Sequence, residues 1–167
     1  MNAESMEHEI SIAREASLEA GEILANNKKA LNKKTFESSK DIKLEADISA
    51  EKLIKAILSD KSAFPILAEE SGKSVDDLGS TFWVVDPLDG TANYSRDIPI
   101  CCVSIALIKD LEPVMGVIYD FNNNDLYEGS IFHPALLNGH ALNVSSISKP
   151  SDGILVTGLP NNTDYSD

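Results

Sequence analysis

The nine residues Trp83-Val84-Val85-Asp86-Pro87-Leu88-Asp89-Gly90-Thr91 decide how the chain is read. Phe82 to Val85 is a continuous apolar run, the pattern of a strand buried on both faces. Pro87 fixes the backbone and removes a donor, so the chain is expected to leave the sheet just after Asp86. Asp89 follows closely, and Gly90 then lets the backbone approach a ligand. Two carboxylates with the Leu88 carbonyl between them are hard oxygen donors at short spacing, the kind magnesium takes while keeping several waters. Bare carboxylates about 5 Å apart repel by roughly 3 kcal/mol at an effective dielectric near 20, so such a loop calls for a cation or a proton. Thr91-Ala92-Asn93-Tyr94 is expected to open a helix whose amides face an anion, which would set a phosphate between metal and amides. Asp, Pro and Gly are also ordinary turn formers. That bland reading suffices for Asp-Pro alone but not for the full string, with an apolar strand before it and Gly-Thr after.

Working outward, Phe64 to Ala68 is a short apolar strand ending at Glu69-Glu70-Ser71. An acidic pair at a strand end is usually a solvated loop. Here it directly precedes the strand carrying Asp86, so Glu69 is a candidate third carboxylate. Upstream, Ile10, Ala13, Ser17, Ala20 and Leu24 recur at helical steps within a helix from about Ser5 to Leu31, with Lys28, Lys29, Lys33 and Lys34 at its C-terminal end. A polar stretch, Thr35 to Lys40, leads to a second helix over Ile48–Ser59, with Asp47 as its N-cap. Gly72 to Ser80 reads as a loop.

Downstream, Cys101–Ile108 and Val114–Tyr119 form a hairpin through Lys109–Pro113. Asn122–Asp125 is a turn before a strand over Leu126–Phe132, and Asn138-Gly139 is a tight-turn signal. Ile154-Leu155-Val156-Thr157 is expected to be the last strand. The fold class is therefore α+β, two helices packed on a largely antiparallel sheet. Residues 1–160 make the domain, and 161–167 are a polar tail.

A chain of 167 residues, 43% hydrophobic and 25% charged, has the composition of an ordinary globular domain. The net charge of −13 argues against nucleic acid and anionic membrane as partners, while a small phosphorylated substrate stays compatible if a metal neutralises the site. No apolar run approaches the roughly 20 residues of a membrane span, and the glutamate-bearing N-terminus lacks a secretory pattern. The expected compartment is the cytoplasm. The adjacent Cys101 and Cys102 read as buried, unreactive thiols.

With those residues in view, the chain resembles the inositol monophosphatase family, part of a lithium-sensitive, metal-dependent phosphatase superfamily that also includes fructose-1,6-bisphosphatases. The family's Glu-Glu-Ser segment is matched by Glu69-Glu70-Ser71, and its Trp-x-x-Asp-Pro-Ile/Leu-Asp-Gly-Thr-x-Asn-Phe/Tyr signature by Trp83 to Tyr94. Ile98-Pro99, Cys102 to Leu107, Asn138-Gly139 and Thr157-Gly158-Leu159-Pro160 also fit. The resemblance implies the N-terminal half of a layered αβαβα fold. It also implies Mg2+ held by Glu69, Asp86, Asp89 and the Leu88 carbonyl, and an attacking water oriented and activated by Glu69 and Thr91. Asp89 and the Gly90 and Thr91 amides would bind substrate. Asp47 matches a family aspartate close to the threonine and a further metal, although Lys43, Leu44 and Glu45 stand where the family usually has threonines. A homodimer is implied too. The family continues into an α/β half with a Trp-Asp segment; this sequence has one tryptophan, Trp83, and does not contain that half, so a fragment and a short natural form both stay open.

The function expected is magnesium-dependent hydrolysis of a small phosphate monoester such as inositol monophosphate, by activated water without a covalent intermediate. The first rival is a non-catalytic module of the same fold that binds metal and phosphate but turns over nothing. A second, calcium binding at Asp120, Asn122 and Asn124, fails because Asp125 stands where an EF-hand needs Gly and Ile131 where it needs Glu. His8, His133 and His140 do not fall at metal-ligand spacing.

Overall fold

In a computed structural model of the chain, residues 2–37 and 42–156 are described. Asp41, part of the polar stretch before it, Thr157 to Pro160 and the tail lie outside them. Helix α1 spans Ala3–Asn26; Asn2 caps it, accepting from the Ser5 amide at 2.9 Å while the Ser5 hydroxyl accepts from the Asn2 amide. It stops short of the expected Leu31. At Asn27 the side chain and the amide both compete for the Ile23 carbonyl, and one further turn, α2 (Lys28–Leu31), starts afresh. A small hairpin follows, β1 (Lys34–Glu37) against β2 (Ile42–Leu44), which the polar sequence did not announce.

Helix α3 covers Glu45–Lys61 and so begins before Ile48. Asp47 is therefore not the N-cap: it lies inside the first turn, and its Oδ2 accepts the Leu44 amide at 2.8 Å, the reach-back half of a capping box. Then come β3 (Ile66–Ala68), β4 (Gly72–Lys73), β5 (Thr81–Asp89), the short helix α4 (Thr91–Ser95), β6 (Cys102–Lys109), β7 (Glu112–Asp120), β8 (Asp125–Ser130), β9 (Leu136–Leu137) and β10 (His140–Ala141).

These last strands form one eight-stranded sheet ordered β10-β9-β8-β7-β6-β5-β3-β4. Every pairing in it is antiparallel except β3 with β5. The expected hairpin at Lys109–Pro113 closes through Asp110 and Leu111, both at positive φ, as a two-residue turn of the primed type requires. Asn138 and Gly139 do the same between β9 and β10.

Helices α1 and α3 lie on one face of the sheet. Met6, Ala13, Ala20 and Leu24 from α1 and Ala50, Ile54 and Leu58 from α3 meet Trp83, Val85, Ile105, Leu107 and Val117 in a single core. Each large side chain fully buried there contributes about 1.5–3 kcal/mol. The helix–sheet approach is close: a Cβ on Gly21 would overlap the Tyr119 ring. Because helices cover one face only, β5 alternates buried and half-buried residues instead of being buried on both sides as its apolar run suggested. The other face presents Ser104, Ala106, Gly116 and Ile118.

Two further expectations change. The chain does not leave the sheet at Pro87. Asp86 pairs with Ser104 and Asp89 with Cys102, so β5 carries one extra residue in a bulge that accommodates the missing proline N–H. Ile154 to Val156 form no strand; they are 95, 90 and 88% exposed, since apolar residues without a neighbouring ladder leave their backbone to water. No helix among the described residues is long and apolar enough to cross a membrane.

Candidate active site

The parallel pair sets the site. Ala68 lies opposite Val85, and the Glu69 amide donates to the Val85 carbonyl at 3.0 Å. The next residue on each chain, Glu69 and Asp86, therefore stand side by side, and their carboxyls share a hydrogen bond. Burial and then the Asp86 charge push the Glu69 carboxyl up to about 7. Asp86 is raised as well, first by burial, with the bond from Glu69 pulling the other way and the Asp89 charge adding to the rise. Two acids this close repel unless a proton or a cation relieves them.

The bulge aims the rest. The Leu88 amide donates back to Asp86 Oδ1 at 3.2 Å, and the exposed Asp89 follows at the end of β5. Gly90 has φ of 90° and serves as the N-cap of α4; a Cβ there would stand 2.7 Å from the Ile100 carbonyl oxygen, so only glycine fits. Thr91 begins α4, with its Oγ1 2.8 Å from Asp47 Oδ1 and 3.0 Å from the Leu88 carbonyl. Asp47 is 1% exposed. Burial pushes it up to about 6 against the pull of the bonds from Leu44 and Thr91, and the charge of Glu70 adds to the rise.

Helix α4 is pinned from behind, where the Tyr94 hydroxyl donates to the Leu24 carbonyl at 2.8 Å, satisfying an end group of α1. In front of Asp89 and Gly90 lies an open cavity of about 450 Å³, walled also by Asn93, Ile100, Cys102 and Asp120. Both thiols are free, Cys101 buried and Cys102 only half-buried; burial raises both, and Asp89 helps push Cys102 up to about 12. Asp120 accepts from the Asn122 and Asn123 amides in the turn after β7.

The structure thus brings Glu69 to Asp86, and Asp47 to Thr91 and the Leu88 carbonyl, around the turn that carries Asp89 and Gly90. Among the described residues, no three His, Cys, Asp or Glu side chains are close enough to form a ready-made metal cage. The oxygen-rich donor set and the acid pair in contact nevertheless suit a hard divalent ion.

Two residues escaped the sequence reading. Glu51, 4% exposed, holds the Glu70 amide at 2.8 Å, and Lys43 pairs with Glu70 at 2.9 Å. Glu51 had a signal: positions 47, 51, 54 and 58 form one helical stripe, and two of its members are acids where a core needs apolar residues.

The sequence matches the inositol monophosphatase family over residues 5–165. It is 35% identical over 152 residues to an inositol-1-monophosphatase of Synechocystis, covering 90% of this chain and 53% of the relative. It is 36% identical over 155 residues to Nus factor SuhB of Xylella fastidiosa, covering 90% and 55%. Among solved structures, an inositol monophosphatase from Anabaena superposes with a TM-score of 0.73 at 34% identity, over 87% of this chain and 52% of that one. The extragenic suppressor protein suhB from Bartonella henselae gives 0.76 at 32%, over 82% and 54%. The chain spans little more than half the length of these relatives. On the strength of a match running through nearly every residue, it belongs to the inositol monophosphatase family.

Proposed function

We propose that residues 1–160 form the cation- and phosphate-binding part of a magnesium-dependent phosphomonoesterase. The observation that carries this is the hydrogen-bonded pair Glu69–Asp86 beside the Thr91–Asp47 contact, at the turn holding Asp89 and Gly90. Glu69, Asp86, Asp89 and the Leu88 carbonyl would hold Mg2+. Magnesium, once bound, supplies positive charge that neutralises the phosphate and makes water more acidic.

The Gly90 and Thr91 amides hold the phosphate, and Glu69 accepts the proton of the attacking water. Thr91 has a single hydroxyl proton for two acceptors. With Asp47 ionised, that proton goes to Asp47, which leaves the Leu88 carbonyl available to a cation and a Thr91 lone pair facing the water. With Asp47 protonated, the acid donates to Thr91 and the hydroxyl turns to Leu88. Asp47 thus positions the threonine and does not itself take part in bond making.

The substrate is a small phosphate monoester such as inositol monophosphate, and the net charge of −13 favours such a ligand over a polyanion. The enzyme acts in the cytoplasm as a homodimer. The test is phosphate release from a panel of monoesters with magnesium, with and without lithium. Asp86→Asn should abolish turnover by at least about a hundredfold and keep the circular dichroism of the parent; retained activity counts against the assignment.

One observation favours a second reading. The chain spans 53 to 62% of its first three curated relatives, so it serves equally as a module that binds cation and phosphate without turnover. Saturable cation binding with no phosphate release from any substrate would select this reading.

A further inference from the structure

The acidic cluster carries a cation of its own. Lys43, on β2, places its Nζ 2.9 Å from Glu70 Oε2, with the two side chains 35 and 13% exposed. The pair is more enclosed than a surface ion pair, which is usually worth little. Its carboxylate is also anchored at the backbone, since the Glu70 amide donates to the buried Glu51 at 2.8 Å. Glu70 is the residue directly after Glu69, so its charge, and that of the lysine paired with it, stands beside the proposed ligands. One lysine thus offsets a carboxylate that borders both halves of the cluster.

We infer that Lys43 is a built-in counter-ion of the cation site, withholding Glu70 from a divalent ion and limiting how tightly the site binds one. This rests on the proposed reading of Glu69 and Asp86 as cation ligands. A fixed positive charge repels a divalent ion twice as strongly as a monovalent one, and the half-enclosed setting screens it less than open water would. Removing it also exposes a carboxylate next to Glu69. Both effects act in the same direction, so losing the lysine should tighten binding on the order of tenfold.

The experiment is a calorimetric titration of the 167-residue chain with Mn2+ and with Mg2+, which needs no turnover. Lys43→Gln should bind Mn2+ about tenfold more tightly than the parent, and Lys43→Arg should match the parent. The double variant Lys43→Gln/Glu70→Gln, whose local charge equals the parent's, should return to the parent's affinity. Lys43→Met, which keeps the apolar stem, repeats the measurement should the Gln variant fail to fold by circular dichroism. Parent-like or weaker binding in the folded Gln or Met variant overturns the inference and leaves the site reading intact. If no form of the chain binds either ion, the site reading itself falls and this inference with it.

Discussion

Glu9 lies inside the protein, where burial outweighs the pull of the neighbouring His8 on its carboxyl. It is 9% exposed, its Oε2 has no hydrogen-bond partner among the described residues, and Ser62 is near enough to counter part of the rise in its pKa. Ser62 in turn accepts from the Trp83 indole at 3.1 Å, so α1, α3 and β5 meet at one polar point within the core. Burial raises the Glu9 pKa above its usual 4.5. The native state therefore binds this proton more readily than the unfolded chain, and stability falls as pH rises from the unfolded value through the folded one. Glu9→Gln keeps the shape of the side chain and removes the charge. At pH 7.5 it should raise stability by about 1 kcal/mol, or about 2–4 °C in Tm, with the gain vanishing near pH 4. Thermal melts of both proteins across that pH range check it.

Between elements, the contact that counts is the one joining α3 to α4. Thr91→Val removes the hydroxyl and leaves Asp47 Oδ1 buried without that partner, which should cost about 1–3 kcal/mol in urea unfolding; Thr91→Ser should restore most of it. Much of this level was legible in the chain. The hairpin through Lys109–Pro113 with its two strands, the tight turn at Asn138-Gly139 and the α1 stripe followed from local pattern, whereas the two-residue strands β9 and β10 did not. What escaped was decided at longer range. The β1–β2 hairpin is polar and leaves Phe36 51% exposed, so no alternation marks it. Pro87 reads as a strand terminator, yet a bulge carries β5 past it, because β6 supplies a partner on the far side. Ile154 to Val156 have the composition of a strand and no neighbour to pair with. The positions of Asp86, Asp89 and Gly90 in one turn were legible; the salt bridge from Lys43 was not, since β2 and the end of β3 meet only in three dimensions.

For the molecule as a whole, the proposed cation site would tie ion binding to pH. The Glu69 carboxyl is raised to about 7 beside Asp86, so a cation taken up by the proposed site at neutral pH would displace its proton. Apparent affinity should rise by up to about tenfold per pH unit below 7 and level off above it. Titrations at pH 6 in buffers of different ionisation enthalpy should show net proton release, and a pH-independent affinity would contradict that displacement. Assembly of the cluster depends on the one parallel pairing in the main sheet. The ladder between β3 and β5 fixes the phase of the two acids, while residues 75–79 bridge the gap between Ser74, which bonds Ile66 through both its amide and its hydroxyl, and Ser80, whose carbonyl accepts from Asp110. That bridge can lengthen or shorten without bringing Glu69 out of step with Asp86, which makes it the place where a graft or a tag can be inserted into the chain with the least disturbance to its chemistry.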